Sequence, residues 1–167
     1  MTFRKQLFIP NKRDYITGKN QPDVDCILCA ILEGHPEITS LLVWKNELVA
    51  VCANLYPYNA GHLLIFPVRH IEDPRQLTED ELLNIHNTMK SCLDKLENLY
   101  FPQGFNIGYN VGEASGASIP HLHQHIVPRY PRELGFVDIT SGAKIIIEDP
   151  NVTLQKLQRA FNDEEVE

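Results

Sequence analysis

The stretch TEDELLNIHNTMKSCLDKLENL, residues 78–99, limits the fold more than any other. Thr78 and Glu81 stand three apart at its start. They form a capping box, in which hydroxyl and carboxylate each take a backbone N–H that the first turn leaves free. Leu82, Ile85, Met89, Cys92, Leu93, Leu96 and Leu99 then recur at helical spacing, so one face of a long helix is apolar. Such a face needs a second layer to bury it. The chain supplies short β-rich runs on both sides. LLVWKNELVAVCA reads as a hairpin about Lys45-Asn46-Glu47, and YPYNAG as a loop set by Pro57, Asn59 and Gly61. HLLIFPV reads as a buried strand. GFNIGYNV and HLHQHIVP read as two more strands, joined by the small-residue turn GEASGAS. CILCAILEGH reads as a short helix ended near Gly34, AKIIIE as a further strand and NVTLQKLQRAF as a last helix. A meander of strands with one long crossing helix predicts an α+β domain with a mainly antiparallel sheet. The expected division is an N-terminal arm over residues 1–25, a domain over 26–130 and a C-terminal extension over 131–167. That extension packs on the domain or trails from it, with an acidic tail that frays.

A chain of 167 residues with 43% hydrophobic content suits one domain with a real core. Its net charge of -7 argues against a nucleic-acid binder, which normally carries a basic face. It leaves room for a small nucleotide, whose phosphates need only local donors. No apolar run approaches a membrane span. The start, MTFRKQLFIPNKRDY, lacks the apolar core of a signal peptide, so the expected location is cytoplasmic. In that compartment a disulfide framework is not expected, and Cys52 and Cys92, in apolar surroundings, read as buried free thiols.

The chemistry concentrates in SIPHLHQHIVPR, residues 118–129, which holds three of the seven histidines. On a strand, His121, His123 and His125 share a face, successive side chains roughly 6.6 Å apart. Zinc–nitrogen bonds are about 2.0 Å, so three rings in a straight row converge poorly, and one metal takes one or two of them. The alternative is a surface face that happens to be rich in histidine. Against it stands the Gly/Ser turn just upstream, whose N–H groups beside a histidine row suit an anion. Cys26 and Cys29 form a C-x-x-C. No βαβ unit precedes it, which disfavours a redox pair and leaves a zinc half-site or a chance pairing. His70, just past a strand end, and one histidine of the row could complete a closed Cys2His2 site, with His35 and His62 as rivals.

These residues carry a resemblance. HLHQHIV is similar to the H-φ-H-φ-H-φ-φ pattern of the histidine triad (HIT) family of nucleotide hydrolases and transferases, apart from Gln124. NLYPYNAGHLLIFPVRHIED resembles the family's strand and turn before its long helix. YNVGEASGASIPHLHQHIVPR resembles its phosphate-binding turn and catalytic strand, and CILCAILEG the opening of zinc-containing members. The flanking segments look like the longer microbial branch, which includes diadenosine tetraphosphate phosphorylase-like enzymes. The resemblance implies a HIT-like fold and His123 as the nucleophile that takes up a nucleotidyl group. His125 would contact the phosphate or assist the leaving group. Ser118, the N–H groups around Gly116, and Asn110 would face the phosphates. His62 matches the family's fourth histidine, Asn54 its ribose-binding position, and Ile27, Leu28 and Leu55 its apolar clamp for the base. Structural zinc would sit on Cys26, Cys29, His70 and His121. A nucleotide substrate and a homodimer are implied as well. A nucleoside phosphoramidase of the same family, and a non-catalytic zinc or nucleotide-binding module, are the competing expectations. Two residues depart from the pattern: Ala117, where many members carry glutamine, and Gln124, polar where an apolar residue is usual.

Overall fold

In the computed structural model, residues 24–131 and 148–162 are described. They form a five-stranded antiparallel sheet with three α-helices. Helix α1 spans Ile27–Glu33. Strands β1 (Leu42–Lys45), β2 (Val49–Ala53) and β3 (Leu63–Pro67) follow, then helix α2 (Glu79–Tyr100), strands β4 (Gly104–Tyr109) and β5 (Gln124–Arg129), and helix α3 (Pro150–Asn162). The strand order is β1-β2-β3-β5-β4, with β5 inserted between β3 and β4.

The alternation of side chains across a strand explains why β2 and β3 are apolar at every position. Both are buried throughout. Val49, Val51, Ala53, Leu63 and Ile65 face Ile85, Cys92 and Leu96 of α2, with Leu157 and Phe161 of α3 in the same core. Ala50, Cys52 and Phe66 point the other way, into a second cluster with Cys26 and Leu28 at α1. Trp44 stacks on Phe161, with ring centroids 5.7 Å apart, and so ties α3 to the β1 edge. No helix among the described residues is long and apolar enough to cross a membrane.

The Thr78–Glu81 capping box is present: Thr78 Oγ1 accepts the Glu81 N–H and Glu81 Oε2 accepts the Thr78 N–H. The apolar stripe of α2 differs from expectation at its start. Leu82 is 56% exposed, whereas Glu81 is 3% exposed. The buried line runs Glu81, Ile85, Thr88, Cys92 and Leu96, and Leu82 is turned about 100° away from it. Met89, Leu93 and Leu99 pack on the core from its flank. Cys52 and Cys92 are buried free thiols, each pushed up to about 12 by burial. The N-terminal arm over 1–25, apart from Val24 and Asp25, lies outside the described residues. So do the acidic tail and, except for Glu148, the strand expected over 143–148.

The expected strand through all three histidines is shorter than the sequence suggested. β5 begins at Gln124, and residues 121–123 run ahead of it in irregular backbone. The reason lies in their bonds. The Leu122 N–H goes to the Ile71 carbonyl (2.6 Å), and the His121 ring to the Pro67 carbonyl (2.9 Å), rather than into the ladder. The three rings therefore do not share one pleated face, and each has a different environment.

Candidate functional site

One row of paired residues crosses the sheet: Cys52 opposite Leu64, Leu64 opposite His125, and His125 opposite Gly108. Paired residues lie on the same face, here the α1 side. Above that row opens a cleft of about 260 Å³. Its walls include nearly every expected substrate residue: Ile27 and Leu28 of α1, Asn54, Leu55, Asn110, Gly116, Ser118, His123 and His125. His62 is 1% exposed and sits behind His125. Ile31, Leu64 and Tyr58, which the sequence did not mark, and Cys52, expected only as a buried thiol, also line the cleft. Periodicity held a signal for three of them. Ile31 is one helical turn beyond Ile27, and Cys52 of β2 and Leu64 of β3 are each two positions from Asn54 and His62, which flank those strands.

Hydrogen bonds fix the proton position on four rings. The Tyr58 backbone N–H donates to His62 Nδ1 (3.0 Å), so neutral His62 carries its proton on Nε2. That nitrogen lies 3.0 Å from His125 Nδ1, which therefore accepts. Neutral His125 then keeps its proton on Nε2, on the Asn110 side. Asn110 Nδ2 is 3.4 Å from this nitrogen, and the amide satisfies the bond when turned to present its oxygen. His123 Nδ1 lies 2.7 Å from the His121 carbonyl oxygen, which can only accept. Its proton is on Nδ1, and the lone pair of Nε2 is left for the cleft. His121 Nε2 meets the Pro67 carbonyl, which likewise puts its proton there and frees Nδ1. Burial lowers the His123 pKa below the usual histidine value, with the bond to His121 acting in the opposite direction. Burial takes His121 to about 4 against the same kind of bond to Pro67. Both rings are neutral at pH 7.

The free Nδ1 of His121 points at the cysteines, 3.4 Å from Cys26 Sγ and 3.6 Å from Cys29 Sγ. His70 Nδ1 is 3.3 Å from Cys29 Sγ. The four ligand atoms lie within 4.8 Å of one another. A tetrahedral zinc with sulfur at about 2.3 Å and nitrogen at about 2.0–2.1 Å implies sulfur–nitrogen edges near 3.6 Å, which these three sulfur–nitrogen distances match. Local structure makes the cluster. Cys26 is the N-cap of α1 and accepts the Cys29 N–H, which places both sulfurs at the same helix start. Gly34, at φ 71°, ends the helix one turn beyond Ala30. Burial, then the bond to Cys26, pushes the Cys29 thiol up to about 12; a coordinated divalent cation reverses that preference. Of the rival ligands, His62 lies with His125, and His35 lines the groove beside the cluster and is not one of its four members.

Gln124 faces away from the cleft, on the side shared with Ile65 and Tyr109. Its Nε2 donates to the Tyr109 hydroxyl (3.2 Å), and its buried Oε1 has no partner among the described residues. A polar residue in the triad pattern is thus accommodated by one tyrosine on the neighbouring strand.

Comparison with known proteins agrees with this architecture. The HIT domain family matches residues 35–132. The chain is 37% identical over 149 residues to the AP-4-A phosphorylase of Mycobacterium tuberculosis, covering 85% of this chain and 76% of that protein. It is 30% identical over 92 residues to the asymmetrical bis(5'-nucleosyl)-tetraphosphatase of Schizosaccharomyces pombe, covering 55% of this chain and 50% of that one. The crystal structure of a Zn-bound histidine triad family protein from Mycobacterium smegmatis superposes with a TM-score of 0.69 at 21% identity, over 85% of this chain and 96% of the other. By its sequence, its sheet order and its row of histidines, the chain belongs to the HIT family.

Proposed function

We propose that the protein transfers nucleotidyl groups from nucleoside polyphosphates, of the diadenosine-polyphosphate kind, through a covalent intermediate on His123. The observation that carries this reading is the tautomer set. His123 offers a bare Nε2 lone pair to the cleft, and His125 offers an Nε2–H beside it, with the two rings 4.9 Å apart. In the first step His123 Nε2 attacks the α-phosphorus. The bond to the bridging oxygen breaks, and the polyphosphate leaves as an anion with the electron pair, its oxygen taking a hydrogen bond from His125 Nε2–H. His121 O receives the hydrogen bond from the Nδ1 side, which stabilises the ring as it becomes positive. In the second step water or inorganic phosphate attacks phosphorus, the phosphorus–nitrogen bond breaks back to His123, and the acceptor's proton is released to solvent. Ser118, Gly116 and Asn110 supply donors for the phosphate oxygens, Asn54 meets the ribose, and Ile27, Leu28 and Leu55 hold the base.

Zinc on Cys26, Cys29, His70 and His121 would supply a structural brace and no chemistry to the reaction. His121 joins the two parts of the site. Its ring belongs to the metal cluster, and its carbonyl sets the tautomer of His123. The 37% identity to a phosphorylase favours phosphate as the acceptor. The test is product analysis with diadenosine tetraphosphate. Release of ATP with ADP when phosphate is present, and with AMP when it is absent, supports phosphorolysis by this route. Absence of any turnover, in protein that binds the compound, would leave only a binding module.

A further inference from the structure

The residues given above to the phosphates, the ribose and the faces of the base leave the edge of the base without a partner. A base held between apolar side chains still carries polar atoms on its rim, and these cost free energy when they lose water unpaired. The loop of residues 34–41, between α1 and β1, supplies Glu37, Ile38 and Thr39 to the lining of the same cleft. Two bonds to His35 hold the turn there. The Glu37 N–H donates to the ring Nδ1 at 3.3 Å, and the Ile38 N–H to the carbonyl at 3.1 Å. Glu37 is exposed, and it is the one carboxylate among the described residues that line the cleft. Its side chain makes no hydrogen bond or ion pair among the described residues. An unneutralised carboxylate repels a polyanion unless it stands away from the phosphates. Glu37 follows directly on α1, whose Ile27, Leu28 and Ile31 line the base side of the cleft.

We propose that Glu37 reads the edge of the base held against α1 and selects guanine. The inference rests on the placement of the base proposed above. An ionised carboxylate only accepts hydrogen bonds. Guanine presents two neighbouring donors, N1–H and N2–H, and each meets one carboxylate oxygen in a parallel, charge-assisted pair. Adenine presents one donor, N6–H, beside the N1 lone pair, so one oxygen bonds and the other faces an acceptor. The apolar contacts and the phosphate donors are common to both bases. Diadenosine compounds therefore remain substrates, and the difference is confined to the edge.

Calorimetric titration with GMP and AMP tests this without turnover. Wild type should bind GMP about tenfold more tightly than AMP, the size of one added charge-assisted bond at an exposed site. IMP, which lacks the N2 donor, should lose most of that advantage. The advantage should vanish in Glu37→Ala and pass to AMP in Glu37→Gln, whose amide oxygen and NH2 match adenine N6–H and N1. Binding of GMP by wild type no tighter than AMP, or a GMP preference that survives in Glu37→Ala, would overturn the assignment. The same preference should appear in kcat/KM for diguanosine over diadenosine tetraphosphate. A guanine preference that Glu37→Ala removes, in protein that cleaves neither compound, would overturn the transfer chemistry and leave Glu37 its role. Failure to bind either mononucleotide would overturn both.

Discussion

Replacing Glu81 by glutamine removes a charge from a place where three donors converge. The residue is 3% exposed. Its Oε1 accepts from Arg69 Nε at 2.9 Å, and its Oε2 accepts from Arg69 Nη2 at 2.8 Å and from the Thr78 N–H at 2.9 Å. Glutamine keeps the shape but has one carbonyl for three donors, and its NH2 meets the guanidinium. Arg69 is half exposed, so loss of the ion pair counts for about 1 kcal/mol rather than the value for a buried pair. Setting a buried NH2 against a donor adds about 1–2 kcal/mol. The expected loss is therefore about 2–3 kcal/mol, which lowers Tm by about 5–10 °C in a chain of this size. The Arg69 hydrogen bonds hold the Glu81 carboxyl below its usual range, against the effect of burial and with help from the Thr78 N–H. A depressed carboxyl stabilises fully above its unfolded pKa, about 4.3, and that contribution fades as pH falls through the lower folded value. Urea denaturation should show the full gap between wild type and Glu81→Gln at pH 7, narrowing below about pH 4. A gap within about 0.5 kcal/mol at pH 7, the range of ordinary surface changes, would refute the reasoning.

Three further outcomes follow from the same geometry. Cys26→Ser should reduce the zinc content of protein purified without chelator from about one ion per chain to near zero and lower Tm, while Cys52→Ser should retain the metal; atomic absorption decides. His62→Phe removes the Nε2–H that holds His125 in register. It should slow turnover of diadenosine tetraphosphate by about 10²-fold, while the stability measured by denaturation changes little; an unchanged rate would deny His62 this positioning role. Gly61 has φ 78°, and a Cβ there would lie 3.1 Å from Leu96 Cδ2 and 3.2 Å from Pro128 Cγ. Gly61→Ala should cost about 1–3 kcal/mol from crowding, read in the same denaturation assay.

Much of the fold was legible because local signals agreed with tertiary ones. The Thr78–Glu81 box, the Gly34 stop and the hairpin about Asn46 are each written in a few residues and appear where the pattern puts them. What was not legible depends on contacts distant in sequence. The strand through His121 stops short because Leu122 and His121 bond to Ile71 and Pro67, about fifty residues away. Leu82 looked buried because spacing alone does not reveal that Glu81, drawn in by Arg69, occupies the inward position. Within the site, the four residues of the Cys/His cluster came from a family pattern, and spacing by itself left His35 and His62 open. The tautomers of His121, His123 and His125 were invisible in sequence. They follow from two backbone carbonyls, at Pro67 and His121, and from one backbone N–H, at Tyr58, relayed through His62.

The central claim is that the bare Nε2 of His123 takes the nucleotidyl group. Rapid-quench mass spectrometry during turnover of diadenosine tetraphosphate tests it most directly. The account predicts one adenylyl group per chain, acid-labile and mapped to His123, formed at the rate at which ATP first appears. An adduct on another residue, or a burst of ATP with no adenylylated protein, would contradict it.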